Sequence, residues 1–140
     1  MPKVQADGLP LPQRYGAILT IVIGISMAVL DGAIANVALP TIATDLHATP
    51  ASSIWVVNAY QIAIVISLLS FSFLGDMFGY RRIYKCGLVV FLLSSLFCAL
   101  SDSLQMLTLA RVIQGFGGAA LMSVNTALIR LIYPMNEIGR

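Results

Sequence analysis

Charge is what this sequence has least of. Of its 140 residues, 10% are Asp, Glu, Lys or Arg, where a soluble domain carries about 25%. That shortage excludes a soluble globular enzyme and a disordered segment. Eight basic and six acidic residues, net +2, are too few for a phosphate-binding surface, so no nucleic-acid partner is expected. Histidine is present once and cysteine twice. No clustered metal ligands and no nucleophile–base constellation can be placed, so the chain is not read as an enzyme. Cys86 and Cys98 stand twelve residues apart in one apolar segment, about 18 Å along a helix and too far to bridge. They read as buried thiols. What fills the chain instead is apolar: 59% hydrophobic residues and a mean hydropathy of +0.91. The composition is that of an all-α integral membrane protein, with the lipid bilayer as its first partner.

A membrane helix needs about 20 apolar residues to cross roughly 30 Å of hydrocarbon. Four apolar runs meet that need, at residues 15–39, 54–74, 83–100 and 104–128. The expected layout is an N-terminal arm over 1–14, four transmembrane helices, and a tail over 129–140, joined through 40–53, 75–82 and 101–103. Alternating spans place Lys3, Arg14, Arg81, Arg82, Lys85, Arg130 and Arg140 on one side. The other side holds Asp45, His47 and Asp102 and no Lys or Arg. The asymmetry predicts that arm and tail are both cytoplasmic. Trp55, at the outer start of the second run, suits an interfacial indole. Lys3, Arg14, the stretch 17–30 and Ala33-Ile34-Ala35 also fit a secretory leader. Three further spans make cleavage unnecessary, and removal would upset the charge alternation.

Two charges stand where hydrocarbon penalises them. Asp31 lies in the first run and Arg111 in the fourth; each costs on the order of 2.5–3.5 kcal/mol at a helix centre, which makes function the default reading. Counting from Leu39 and Leu104, both sit about 10–12 Å below the outer boundary, so they can pair if their helices are neighbours. Small residues argue for such a neighbourhood. Gly24, Ala28 and Gly32 recur every four residues in the first run, as do Gly115, Ala119, Ser123 and Ala127 in the fourth. Such strips admit close backbone approach, although Gly and Ala are common in membrane helices anyway. Arg111 opposite Asp31 would keep the carboxylate ionised until the pair separates, which is the chemistry of a proton-coupled carrier. A static pair that only fixes packing is the alternative.

The turn between the second and third runs is the other anomaly. Asp76 at the end of one helix and Arg81 and Arg82 at the start of the next each face an opposing helix dipole, at about 0.3–1 kcal/mol apiece. Topology explains the arginines. Asp76 therefore calls for a partner: Arg81 or Arg82 across the turn, or the N-terminus of another helix. Gly79 suits the tight turn. Asn58 and Gln61, three apart in the second run, are expected to bond to neighbouring helices rather than line a pore.

These residues resemble a family. FLGDMFGYRR (Phe73–Arg82) is similar to the loop signature of the major facilitator superfamily, Gly-x-Leu-Ala-Asp-Arg-x-Gly-Arg-Lys/Arg, through Leu74, Asp76, Gly79, Arg81 and Arg82. Ser72, Met77 and Tyr80 depart from it. LDGAIANVALPTI (Leu30–Ile42) resembles the first-span signature of the 14-span drug:proton antiporter branch through Asp31, Asn36, Ala38, Leu39 and Pro40, with Ala33 in place of the usual threonine. RVIQGFGGAA (Arg111–Ala120) resembles the fourth-span signature through Arg111, Gln114, Gly115, Gly117 and Ala120; Trp55 and Tyr60 fit the second-span pattern. Within that branch the chain looks most like enterobacterial methyl viologen and quaternary-ammonium exporters.

The resemblance implies the N-terminal four helices of a fold of twelve or fourteen, located in the bacterial inner membrane. Asp31 would then be the proton and cation site, Arg111 its counter-charge, and Asp76, Gly79, Arg81 and Arg82 a cytoplasmic gating loop. It implies no cofactor beyond the proton gradient. Partners of the full-length parent would be lipophilic cationic drugs or dyes, and this chain would need the missing C-terminal helices or another copy of itself. The expectation is a truncated exporter, inactive alone, whose segment Met135–Arg140 matches nothing in the family. Two alternatives stay open: a self-assembling small four-helix multidrug exporter, and a non-transporting fragment that interacts with full-length transporters.

Overall fold

The structure, a computed structural model, describes residues 11–132. Most of the expected arm, the end of the expected tail, and with them Lys3, Met135 and Arg140, lie outside the described residues. Four helices follow in order: α1 (Leu11–Asp45), α2 (Pro50–Phe78), α3 (Tyr80–Ala99) and α4 (Leu104–Ile132). All four are long and apolar enough to cross a membrane. Among the described residues the protein is all-α, with the four helices of a multi-pass membrane protein.

The helices outrun the apolar stretches that announce them. Pro40 was expected to open the first connection, yet α1 runs through it to Asp45. Proline removes a single backbone donor from the ladder, and membrane helices tolerate that loss. The chain leaves α1 through His47, whose φ of 49° is left-handed, with its N–H on the Thr44 carbonyl at 3.2 Å. Thr49 then caps α2, its Oγ1 accepting from the Ser52 N–H at 3.2 Å, and Pro50 takes the first helical position, where its lack of an N–H costs nothing. Between α2 and α3 the connection shrinks to Gly79, with φ of 94°, a conformation that a side chain would strain.

Packing is centred on α4, which lies against both α2 and α3. Ala119 and Val124 are fully enclosed there. The contacts are backbone to backbone. A Cβ on Gly115 would stand 2.7 Å from the Tyr60 carbonyl oxygen and from the Ala63 Cβ of α2. One on Gly117 would stand 2.7 Å from the Phe91 nitrogen of α3. Helix α1 buries one face, Ile21, Gly24, Ala28 and Ala35 at spacings of three, four and seven, while Val37 is 81% exposed. It is tied to α3 by Tyr84, whose hydroxyl donates to the Thr20 carbonyl at 2.9 Å.

The glycines of the two strips of small residues receive different neighbours. Gly24 receives the Tyr84 side chain of α3, and Gly115 receives α2; nothing lies within 4 Å of a Cβ placed on Gly32. Ala28 and Ala119 are buried, and Ser123 is half-buried with its hydroxyl on the Ala120 carbonyl at 3.2 Å. A second correction concerns the cysteines. Cys86 is exposed and Cys98 half-buried, both as free thiols. An apolar sequence context does not separate core from lipid-facing positions, because lipid tails are as apolar as leucine.

Candidate functional site

Asp31 and Arg111 meet. Helix α1 presents Asp31 from its buried face, and α4 presents Arg111 at the same depth. Arg111 Nη1 donates to Asp31 Oδ2 at 2.5 Å, and the two side chains are 6% and 20% exposed. The pair is thus nearly removed from solvent, where each unpaired ion would be costly.

Three residues that carried no assigned role in the sequence complete the site. Gln114, one turn after Arg111 on α4, is fully enclosed. Its Nε2 donates to Asp31 Oδ1 at 2.9 Å, and its Oε1 accepts from Arg111 Nη1 at 2.7 Å. Cys98 of α3 donates its thiol to the same Oε1, with sulfur and oxygen 3.6 Å apart. From α2, Tyr60 lays its ring 5.1 Å from the Arg111 guanidinium carbon, a cation–π distance. Both carboxylate oxygens thus have a donor, and every helix of the bundle contributes a side chain. The available signal was position: Gln114 lies three residues from Arg111, on the same helical face.

Beside the pair, a cavity of about 190 Å³ opens between α1, α2 and α4. Gly32, Asn36, Tyr60, Gln61 and Arg111 are in its wall. The Tyr60 hydroxyl is buried and has no hydrogen-bond partner among the described residues. Asn58 and Gln61 are exposed and make no side-chain hydrogen bond to a neighbouring helix among the described residues, contrary to expectation. Gln61 lines the cavity instead, because its face of α2 turns toward the open side of the bundle.

The turn between α2 and α3 lies at the other end of α2. Asp76 takes neither Arg81 nor Arg82 as partner among the described residues; the Tyr80 hydroxyl donates to its Oδ1. The physical reason is local. Gly79 turns the chain within one residue, and Gly75 leaves bare backbone on which the Tyr80 ring lies. A tyrosine four residues on therefore reaches the carboxylate before a more distant arginine can.

Residues 21–140 match the family model described as Major Facilitator Superfamily. The chain belongs to the major facilitator superfamily. Over all 140 residues it is 97% identical to a protein of Escherichia coli (strain K12) named "Uncharacterized transporter YebQ", covering 31% of that relative. It is 35% identical to the riboflavin transporter RibZ of Clostridioides difficile (strain 630) across 93% of this chain and 28% of the relative. A third relative, the putative multidrug resistance protein MdtD of Salmonella heidelberg (strain SL476), is 40% identical across 81% of this chain and 24% of its own length. The chain thus spans about a third or less of these relatives. No solved structure matches. Membership places the chain among major facilitator transporters, with multidrug-resistance-type proteins among its relatives, and not among enzymes.

Proposed function

We propose that the chain supplies the coupling helices of a proton-driven exporter of lipophilic cations, of the 14-span drug:proton antiporter branch, in the bacterial inner membrane with both ends cytoplasmic. The observation that carries the reading is the Asp31–Arg111 pair at 2.5 Å inside the bundle. A carboxylate held by one guanidinium has two ways to lose it: a proton can neutralise the acid, or a cation can replace the arginine. Proton and cation then compete for the same oxygens, which is the requirement for exchange. The relative named for multidrug resistance supports drugs as the substrate class.

Asp76, Gly79, Arg81 and Arg82 form the cytoplasmic latch in this reading, and Tyr80 must yield the Asp76 carboxylate before the latch can engage another helix. Alternating access needs two bundles moving against each other, so the four helices alone carry the coupling site without the transport cycle. The test is ethidium efflux from energised bacteria making the full-length Escherichia coli relative, its Asp31→Asn variant, or the 140-residue chain alone. Proton-dependent efflux by the relative, its loss in Asp31→Asn, and vector-level efflux by the chain alone are expected. Efflux that survives Asp31→Asn overturns the coupling role. Efflux by the chain alone would instead make it a self-assembling four-helix exporter.

A further inference from the structure

The hydrogen bonds around Asp31 have a direction, and the direction matters. An ionised carboxylate only accepts, whereas a protonated one carries a donor. Asp31 Oδ1 faces the N–H of Gln114, and Oδ2 faces the N–H of Arg111. Both bonds are made to the charged form, and a proton added to either oxygen weakens it as an acceptor for the donor it now holds. Rotating the Gln114 amide would offer Oδ1 an acceptor. That rotation would turn the amide N–H groups onto Arg111 Nη1 and the Cys98 thiol, both of which now donate to Oε1 at 2.7 and 3.6 Å. The amide is therefore pinned in one orientation, from its own helix by Arg111 and from α3 by Cys98.

We infer that Gln114 is a positioning residue whose pinned amide favours the charged carboxylate of Asp31 while α1 and α4 are in contact, so that separation of α1 from α4 favours its protonation. Arg111 and Gln114 are one turn apart on α4, which Gly115 and Gly117 lock onto α2 and α3 by backbone contact. Asp31 rides on α1, whose opposite face is exposed. The contact that opens most readily is the one between α1 and α4. The titratable or charged groups facing Asp31 are Arg111 from α4, Tyr60 from α2, and Cys98 through the Gln114 amide from α3. Arginine, tyrosine and cysteine ordinarily titrate well above the carboxylate range, so the acid titration of this cluster reports Asp31. The inference deepens the reading of Asp31 as the coupling acid and rests on it.

The test uses the 140-residue chain in phosphatidylethanolamine–phosphatidylglycerol vesicles. The infrared carbonyl band of protonated Asp31 is identified by its loss in Asp31→Asn and followed through an acid titration. Gln114→Met keeps the volume and removes both amide bonds. The band is expected to appear about one pH unit higher than in the parent chain, because a donor to the charged form has been lost. Gln114→Asn keeps the amide but withdraws it by one methylene; it should shift the band in the same direction and covers the case in which the methionine variant does not insert. Cys98→Ala should produce a smaller displacement of the same sign, and Cys86→Ala, on an exposed position of α3, none. Titration curves for Gln114→Met and Gln114→Asn that superimpose on the parent overturn the inference. A displaced band in variants of a protein that exports no cation would leave the positioning role standing and remove the transport reading.

Discussion

Gly117→Ala adds one methyl group at the point where α4 touches α3, and the structure states what it would strike. The new Cβ would lie 2.7 Å from the Phe91 nitrogen, 2.9 Å from the Phe91 Cα and 3.0 Å from the Gly87 oxygen. All three are backbone atoms, so no rotamer change relieves the contact. Restoring an ordinary separation of about 3.5 Å requires α3 to retreat by roughly 0.8 Å. Phe91, 2% exposed, would be drawn out of the core with it. Overpacking of this kind costs about 1–3 kcal/mol. Gly32→Ala is the control. Nothing lies within 4 Å of its Cβ, so the gain in helix propensity, up to about 1 kcal/mol, is not opposed. The assay is unfolding of the purified chain from mild micelles by dodecyl sulfate, followed through Trp55, the single tryptophan, which stands beside the start of α4. Gly117→Ala should unfold at lower dodecyl sulfate than the parent, and Gly32→Ala at equal or higher. If the two alanine variants prove equally stable, α3 and α4 do not pack backbone to backbone.

Two other substitutions probe the ties to α1. Arg111→Leu leaves the Asp31 carboxylate without its counter-charge, a loss of about 3–5 kcal/mol for a buried pair. Acid should lessen the deficit, since a protonated Asp31 no longer needs the guanidinium; dodecyl sulfate unfolding at several pH values should show the gap to the parent narrowing as pH falls. Tyr84→Phe removes the hydroxyl bonded to the Thr20 carbonyl and should cost about 0.5–1.5 kcal/mol in the same assay, with the effect abolished when α1 is already displaced.

What the sequence disclosed, and what it withheld, follows from the kind of signal each residue carries. Asp31 and Arg111 were visible because an isolated charge in a long apolar run is costly, and residue counting placed them at equal depth. Gln114 was matched as a motif residue but its role was not legible, because an amide in a membrane helix bears no charge and only its Arg111 partner is near in sequence, Asp31 and Cys98 being on other helices. Four-residue spacing of small side chains revealed that something approaches closely, but not what: Gly115 receives the backbone of α2 and Gly24 the Tyr84 side chain of α3. The turn at Gly79 was legible from a glycine among charges. The partner of Asp76 was not, since charge complementarity favoured Arg81 or Arg82 and local geometry delivered Tyr80. Helix ends were the least legible feature, because a hydropathy pattern marks the lipid-crossing stretch and says little about turns that continue past it into water.

Exchange at Asp31 is the centre of the account, and a proton count tests it most directly. Tetraphenylphosphonium would be added to the purified full-length relative in weakly buffered detergent near the midpoint of the Asp31 titration, with a pH-indicator dye recording release. A carboxyl group contested by proton and cation should release protons as the cation binds, and Asp31→Asn should release none. Cation binding without proton release, or release unchanged in Asp31→Asn, would contradict the assignment of Asp31 as the site where the two are exchanged.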